Sequence, residues 1–356
     1  MKPAIWLLSA YRSDSHAYWV DGLLRNHPEF DWRVFELPGR HFAWRIRSNP
    51  LSWLDEIHAA LRRHVPNLIL ASSMVDLATL KGLHPHLADV TSLYYFHENQ
   101  LAYPIMPGQV ESIEPAMVQI YGALAADQLL FNSRYNQTSF LNGIDCLARR
   151  LPDGVPDRLA TRLEKNCRVL PVAVEPLKAE SNRNPNLILW NHRWEHDKQP
   201  DVFAEAMIEL ASTDRRVELA LLGPRPKRPH PALRRLVDTL GDRIVVNDFL
   251  ERSDYETWLG RVGVVVSTAI HEFQGISLLE AVSAGAWPVV PDALCYAEQY
   301  PDACRYQPQS RPDLIAALRL ALNRPDRALP DISPWLAPTM QPKWADLLSL
   351  TTRSGI

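Results

Sequence analysis

The chain has 356 residues and a mass of 40.5 kDa, a length that predicts two domains and is large enough to build a core without disulfide or metal staples. With 46% apolar and 22% charged residues, it is not a disordered chain. Lys+Arg total 38 and Asp+Glu 41, a formal net charge of −3, which excludes a chain basic throughout but leaves room for a local basic patch.

The N-terminus runs from Met1-Lys2-Pro3 straight into the apolar run 4–8, which has strand length and lacks the cleavage site of a secretory leader. Strands are expected at 5–8, 32–37, 67–71, 92–96, 128–131 and 168–172, with helical patterns between them at 15–25, 54–63 and 117–126. Short continuous apolar strands separated by helices predict a parallel sheet covered on both faces. Residues 175–185 are polar and flanked by proline, and read as an interdomain linker. A second alternating set follows, with strands at 187–190, 217–222, 244–246, 263–267 and 287–290, and helices at 202–211, 232–239, 255–261, 277–284 and 312–322. The expected organisation is an N-terminal domain over 1–175, a C-terminal domain over 183–330 and a helical tail over 331–356. The fold class is α/β, two doubly wound Rossmann-like domains facing across a cleft, with ligands beyond the carboxyl ends of the strands. No run approaches 18 apolar residues, so no membrane span is expected. Cys146, Cys167, Cys295 and Cys304 form no CxxC pair and no metal-ligand spacing with His. They read as free thiols in the cytoplasm.

The most informative stretch is 267–290. A buried strand ends in a polar loop carrying Glu272, Gly275 opens a helix, and Glu280 lies within it. Backbone N–H groups over Phe273, Gln274, Gly275, Ile276 and Ser277 at a helix N-terminus favour an anion such as a diphosphate. Carboxylates beside an anion need another role, and accepting hydrogen bonds from sugar hydroxyls is a natural one. The segment Glu272-x-Gln274-Gly275-x4-Glu280-Ala281, followed by Gly285 and Pro288-Val289-Val290, resembles retaining glycosyltransferases of the GT-B fold, the glycogen-synthase-like group, with their E-x7-E motif. The resemblance implies that Glu272 contacts the donor sugar and Glu280 the nucleoside ribose. It also implies that Arg193 and Lys198, on the loop after the first strand of this half, hold the donor diphosphate in place of a metal. His192, Glu195 and His196 do not make an H-E-x-x-H motif, and no metal is expected.

In the first half, His97-Glu98-Asn99-Gln100 follow a buried strand, as do Asn132 and Ser133; Ser13, Ser15 and His16 lie on the first strand–helix loop. Ser15, Asn132 and Ser133 also suit helix capping. His97-Glu98-Asn99-Gln100, with Leu37-Pro38-x5-Trp44-Arg45, Ser72-Ser73-Met74 and Phe131-Asn132-Ser133, resembles the tRNA-queuosine mannosyltransferase family over about residues 1–300. That family moves mannose from GDP-mannose to the cyclopentenediol of queuosine in the anticodon of tRNA for aspartate. The resemblance implies tRNA and a nucleotide sugar as partners, no cofactor, and a donor contact by His97. The family's first loop often reads Gly-Gly-Ser-His; here it is Ser13-Asp14-Ser15-His16, which adds a negative charge on the acceptor side.

A chain of net charge −3 needs a local basic surface to hold RNA. Arg40, His41, Arg45 and Arg47, interleaved with Phe42 and Trp44, suit phosphate contact and base stacking, with Arg62, Arg63, Arg149 and Arg150 in addition. Arg225, Lys227 and Arg228 read as plain surface. Three other readings stay open: transfer to a lipid or polysaccharide, a non-catalytic sugar- or RNA-binding module on the same fold, and a nucleotide-sugar epimerase, which shares the layout but not the E-x7-E spacing.

Overall fold

The computed structural model describes residues 2–104, 112–226 and 228–353; Lys227 lies outside them. The chain divides into two compact units, Met1–Ala173 with Pro338–Ile356, and Val174–Ala337.

The first unit is built on β1 (Ala4–Arg12), α1 (Asp14–Asn26), β2 (Asp31–Pro38), α2 (Phe42–Ser52), α3 (Leu54–Leu61), β3 (Leu68–Ser72), α4 (Leu77–Leu83), β4 (Ser92–Phe96), α5 (Glu114–Ala125), β5 (Gln128–Phe131), α6 (Arg134–Ala148), α7 (Leu159–Glu164) and β6 (Cys167–Val169). Its sheet runs β2-β1-β3-β4-β5-β6, and every pairing is parallel. β3 and β4 are buried at every residue, as a strand covered by helices on both faces must be. Trp6, Leu8, Ile69, Ala71, Tyr94, Phe96, Leu129 and Phe131 alternate onto one face and form the core there.

Helix α2 has no counterpart in the sequence expectation, and it carries Pro50 in its interior, a residue that helices disfavour there. Proline lacks the N–H that would reach the carbonyl of Ile46, and the Asn49 side chain replaces it, donating to Ile46 O at 3.1 Å. The same amide donates to Met74 O at 3.1 Å, and its oxygen accepts from Asp76 N at 3.1 Å. A tertiary clamp therefore holds a helix that local rules disfavour.

The second unit comprises β7 (Asn184–Trp190), α8 (Pro200–Thr213), β8 (Glu218–Leu221), α9 (Pro231–Leu240), β9 (Ile244–Asn247), α10 (Arg252–Arg261), β10 (Val262–Val266), α11 (Ile276–Ser283), β11 (Trp287–Pro291), α12 (Tyr296–Gln299), β12 (Arg305–Tyr306) and α13 (Arg311–Leu322). Its parallel sheet is ordered β12-β11-β10-β7-β8-β9. β12 has two residues, too few for a periodic signal. The register pairs Val265 with Leu189 and with Pro288, so the loops leaving β7 and β10 emerge side by side.

Two boundaries differ from expectation. Residues 175–185 are laid against the second unit: Leu177 N donates to Ser283 Oγ (3.0 Å), Glu180 N donates to Gly260 O (2.9 Å), and Asn184 begins β7. The tail forms α14 (Ala337–Arg353), which from Pro338 onward belongs to the first unit. Trp344 anchors it, buried beside Tyr95 (ring centroids 5.4 Å) and donating from Nε1 to Pro171 O at 3.1 Å. Composition could not reveal this, because the tail's partner strands lie more than 150 residues earlier. We expect Trp344→Ala to cost about 3–5 kcal/mol and to make the tail the first site of limited proteolysis; an unchanged melting temperature and cleavage pattern would contradict the docking.

Candidate functional site

In the second unit the adjacent loops after β7 and β10 are laced together. Ile270 N donates to Asp197 O (2.9 Å), Thr268 Oγ1 to Lys198 O (2.7 Å), and His192 Nε2 lies 2.9 Å from Ser267 Oγ. At their centre is Lys198. It is a buried ammonium 3.2 Å from Glu272 Oε2, 3.2 Å from Asp197 Oδ2 and 2.6 Å from His271 O. Burial pulls the Lys198 pKa down, but Glu272 and Asp197 outweigh it and hold the pKa above its ordinary value. Glu272 mirrors this: burial pushes its carboxyl up, while Lys198, with the neighbouring histidines, brings it down to about 2. Both partners are therefore ionised at neutral pH. Arg193 stays half exposed, 3.4 Å from Glu195.

Helix α11 begins at Ile276 after Gly275, whose φ of +65° is the left-handed conformation that glycine adopts freely. Phe273 and Gln274 are buried; Phe273 N donates to Glu272 Oε1 (3.1 Å), and Gln274 O accepts from Gln299 Nε2 (2.7 Å). Ser277 O accepts from Asn191 Nδ2 (3.0 Å). The turn from Phe273 to Ser277 is thus braced from both sides, with the helix N-terminus beside a Lys–Glu pair. Glu280 is buried and meets Arg252 Nη2 at 2.7 Å. Burial raises its pKa, and Arg252 opposes the rise. Each carboxylate of the E-x7-E pair therefore has a cation in contact, which reduces the repulsion that bare carboxylates would offer an anion.

His192 and His271 are buried beside these charges, and burial lowers their pKa values to about 3 and about 4. Both are neutral at pH 7. Among the described residues no group of three or more His, Cys, Asp or Glu is arranged to hold a metal ion.

In the first unit, His97 is buried in an aromatic box. Its ring centroid lies 4.1 Å from that of His16, 4.7 Å from that of Trp19 and 4.7 Å from that of Tyr95. Burial, then the neighbouring His16, depresses the His97 pKa well below the ordinary value, and burial takes His16 to about 4. Both imidazoles are neutral. Asn99 is committed to the fold, donating to Asn136 Oδ1 (2.8 Å) and Ser139 Oγ (2.9 Å). Asn132 donates to His97 O at 2.8 Å, and Ser133 Oγ caps α6 by accepting from Asn136 N at 3.0 Å. Ser133 thus caps α6, while Asn132 does not cap but holds the backbone of His97. Gln100 Nε2 donates to Glu98 Oε1 (3.2 Å). Ser15 is exposed inside α1 and does not cap it; Ser13 occupies the cap position without a side-chain bond.

The basic surface is thinner than the sequence suggests. Arg47 pairs with Asp76 at 2.5 Å and Glu114 at 3.5 Å, and Arg45 is partly buried. Arg40 and His41 are exposed, and Trp44 is 60% exposed. Arg225 is not plain surface, for it donates to Leu221 O (2.6 Å) and covers the Trp194 ring at 5.7 Å.

Residues 4–174 match the family model described as tRNA-queuosine alpha-mannosyltransferase N-terminal, and residues 185–323 match glycosyl transferases group 1. The tRNA-queuosine alpha-mannosyltransferase of Drosophila melanogaster is 32% identical over 313 residues, covering 84% of this chain and 82% of that protein. The chain belongs to the tRNA-queuosine alpha-mannosyltransferase family. It is a glycosyltransferase with the GT-B fold. Among solved structures it is similar to sucrose-phosphate synthase from Thermosynechococcus elongatus (TM-score 0.73, 14% identity, 99% of this chain and 100% of that one). It is also similar to Anabaena Alr3699/HepE in complex with UDP (TM-score 0.69, 14% identity, 98% and 100%).

For this mannosyltransferase-family chain, motif reading missed Asp197, Ser267 and Arg252. Asp197 directly precedes Lys198, and Ser267 ends the strand before the loop that carries Glu272; neither carries a pattern of its own. Arg252 lies on a separate helix, 28 residues before Glu280, and only folding brings them together.

Lys198→Met leaves Glu272 and Asp197 without their cation and is expected to cost about 3 kcal/mol. The double variant Lys198→Met/Glu272→Gln should recover part of that loss in denaturant melts, and strict additivity would show that the pair is not coupled. Because the folded pKa values of His192 and His271 lie below the unfolded value of 6.5, the unfolded chain binds more protons between them. Their stabilisation is complete above pH 6.5 and is lost as pH falls toward 4, at about 1.4 kcal/mol per pH unit for each histidine. A melting temperature flat from pH 7 to pH 5 would refute their buried neutral state.

Proposed function

We propose that this protein transfers mannose from GDP-mannose, with retention of configuration, to the cyclopentenediol of queuosine in the anticodon of tRNA for aspartate, in the cytoplasm and without a metal ion. Family membership over 84% of the chain supports the reaction class. The single observation in this molecule that carries the donor assignment is the buried Lys198–Glu272 pair beside the N-terminus of α11.

In this reading Arg193, Lys198 and the backbone at the start of α11 hold the diphosphate, and their positive potential stabilises the charge that grows on the leaving nucleotide. Glu272 and the turn from Phe273 to Ser277 hold the sugar, and Glu280 accepts from the ribose hydroxyls. His97, neutral, exchanges hydrogen bonds with a donor hydroxyl rather than supplying charge. The acceptor hydroxyl attacks on the side from which the nucleotide leaves, and its proton passes to a phosphate oxygen. Ser13, Ser15, His16, Glu98 and Gln100 stand on the acceptor side, with Arg40, Trp44 and Arg45 toward RNA. Asn99, Asn132 and Ser133 act by fixing the loop that carries His97.

Mass spectrometry of tRNA nucleosides from cells with and without the gene tests the reading. A hexose-sized mass on queuosine should disappear with the gene, and an unchanged profile would overturn the acceptor. Purified enzyme should turn over equally with and without EDTA, and a strict need for magnesium would overturn the metal-free scheme. Glu272→Gln should lower turnover at least 100-fold.

A further inference from the structure

Glu280 sits at a position where an ionised carboxylate is expensive. It is 3% exposed, and the interior disfavours its charge. Yet a carboxylate that receives two neighbouring hydroxyls must be ionised, since only then is it purely an acceptor. One side chain resolves the conflict. Arg252, from the first turn of α10, spans two carboxylates: Nη2 lies 2.7 Å from Glu280 Oε1 and Nε 2.6 Å from Glu256 Oε1. Its guanidinium lies 5.8 Å from the Tyr255 ring centroid. Tyr255 OH in turn accepts from Asn191 Nδ2 at 3.0 Å, and the same amide reaches Ser277 O. The Arg252 fork is thus held between its own helix and the turn that opens α11. Arg252 engages Glu280 at Oε1 (2.7 Å), and a carboxylate with one oxygen so engaged keeps acceptor lone pairs on the other. The ion pair supplies the charge balance and leaves acceptor capacity on the carboxylate.

We propose that Arg252 is a positioning residue for nucleotide recognition, which holds the Glu280 carboxylate ionised and aimed at the vicinal hydroxyls of a ribonucleotide and thereby makes the site select ribose over 2′-deoxyribose. The inference rests on the donor-site reading of Glu280. Arg252 touches no ligand in it; it works through Glu280.

The test is calorimetric binding of GDP, UDP and 2′-deoxy-GDP to the full chain, wild type, Arg252→Met and Arg252→Lys. Wild type should bind GDP at least 10-fold more tightly than 2′-deoxy-GDP. In Arg252→Met that preference should fall toward 1, and GDP affinity should become pH dependent, weakening as pH falls from 8 to 6, because an unpaired buried Glu280 takes up a proton. Arg252→Lys should restore part of both. A merely structural role would lower the melting temperature and leave the ribose preference and its pH profile intact, and that result overturns the proposal. If wild type binds none of the three nucleotides, the donor site itself is misassigned and the inference falls with it. If wild type binds and selects ribose while Arg252→Met does so equally, only the role of Arg252 is lost.

Discussion

The second unit is organised around a buried cation. Burial works against the charge on both Lys198 and Glu272; Glu272 and Asp197 hold Lys198 protonated, and Lys198 holds Glu272 ionised. The pair also ties two loops that leave neighbouring strands, because Lys198 Nζ reaches the carbonyl of His271 and Thr268 reaches back to that of Lys198. Removing Lys198 leaves Glu272 and Asp197 to bear their desolvation without a cation, and removing Glu272 leaves Lys198 with Asp197 alone. Electrostatics and loop geometry are therefore one constraint, and the turn that opens α11 inherits its position from it.

The same logic explains how an acidic pair and an anion share a site. Glu272 and Glu280 look repulsive to a diphosphate when written as a motif. In the fold each has a cation in contact, Lys198 for Glu272 and Arg252 for Glu280, each shared with a second carboxylate, Asp197 and Glu256, and the dipole of α11 and the half-exposed Arg193 add positive potential for an anion. The neighbouring histidines contribute no charge at neutral pH, and their role is hydrogen bonding and packing.

The first unit uses a different device. Its histidines, His16 and His97, are stacked against each other and boxed by Trp19 and Tyr95. Around them Asn132, Asn136, Asn99 and Ser133 form a hydrogen-bonded scaffold that spends its polar groups on backbone and on one another. Polar residues at strand ends look alike in sequence whether they meet ligand or brace a loop. Here several brace a loop, and the signature stretch His97–Gln100 is held in shape by residues some 35 positions later.

The alternation of apolar strands and helices, the parallel character of both sheets and the E-x7-E segment were all legible in the chain, because each depends on residues close in sequence. Helix α2 was not, since its proline is excused by an asparagine that is itself clamped by the β3–α4 loop. Nor was the return of α14 to the first unit, nor the conversion of Lys198 and Arg47 from free cations to partnered ones. Local pattern determines which faces are apolar and which residue types cluster. Burial and pairing are set by what arrives from elsewhere in the chain, and only the tertiary structure decides which charges are neutralised and which remain to meet a ligand.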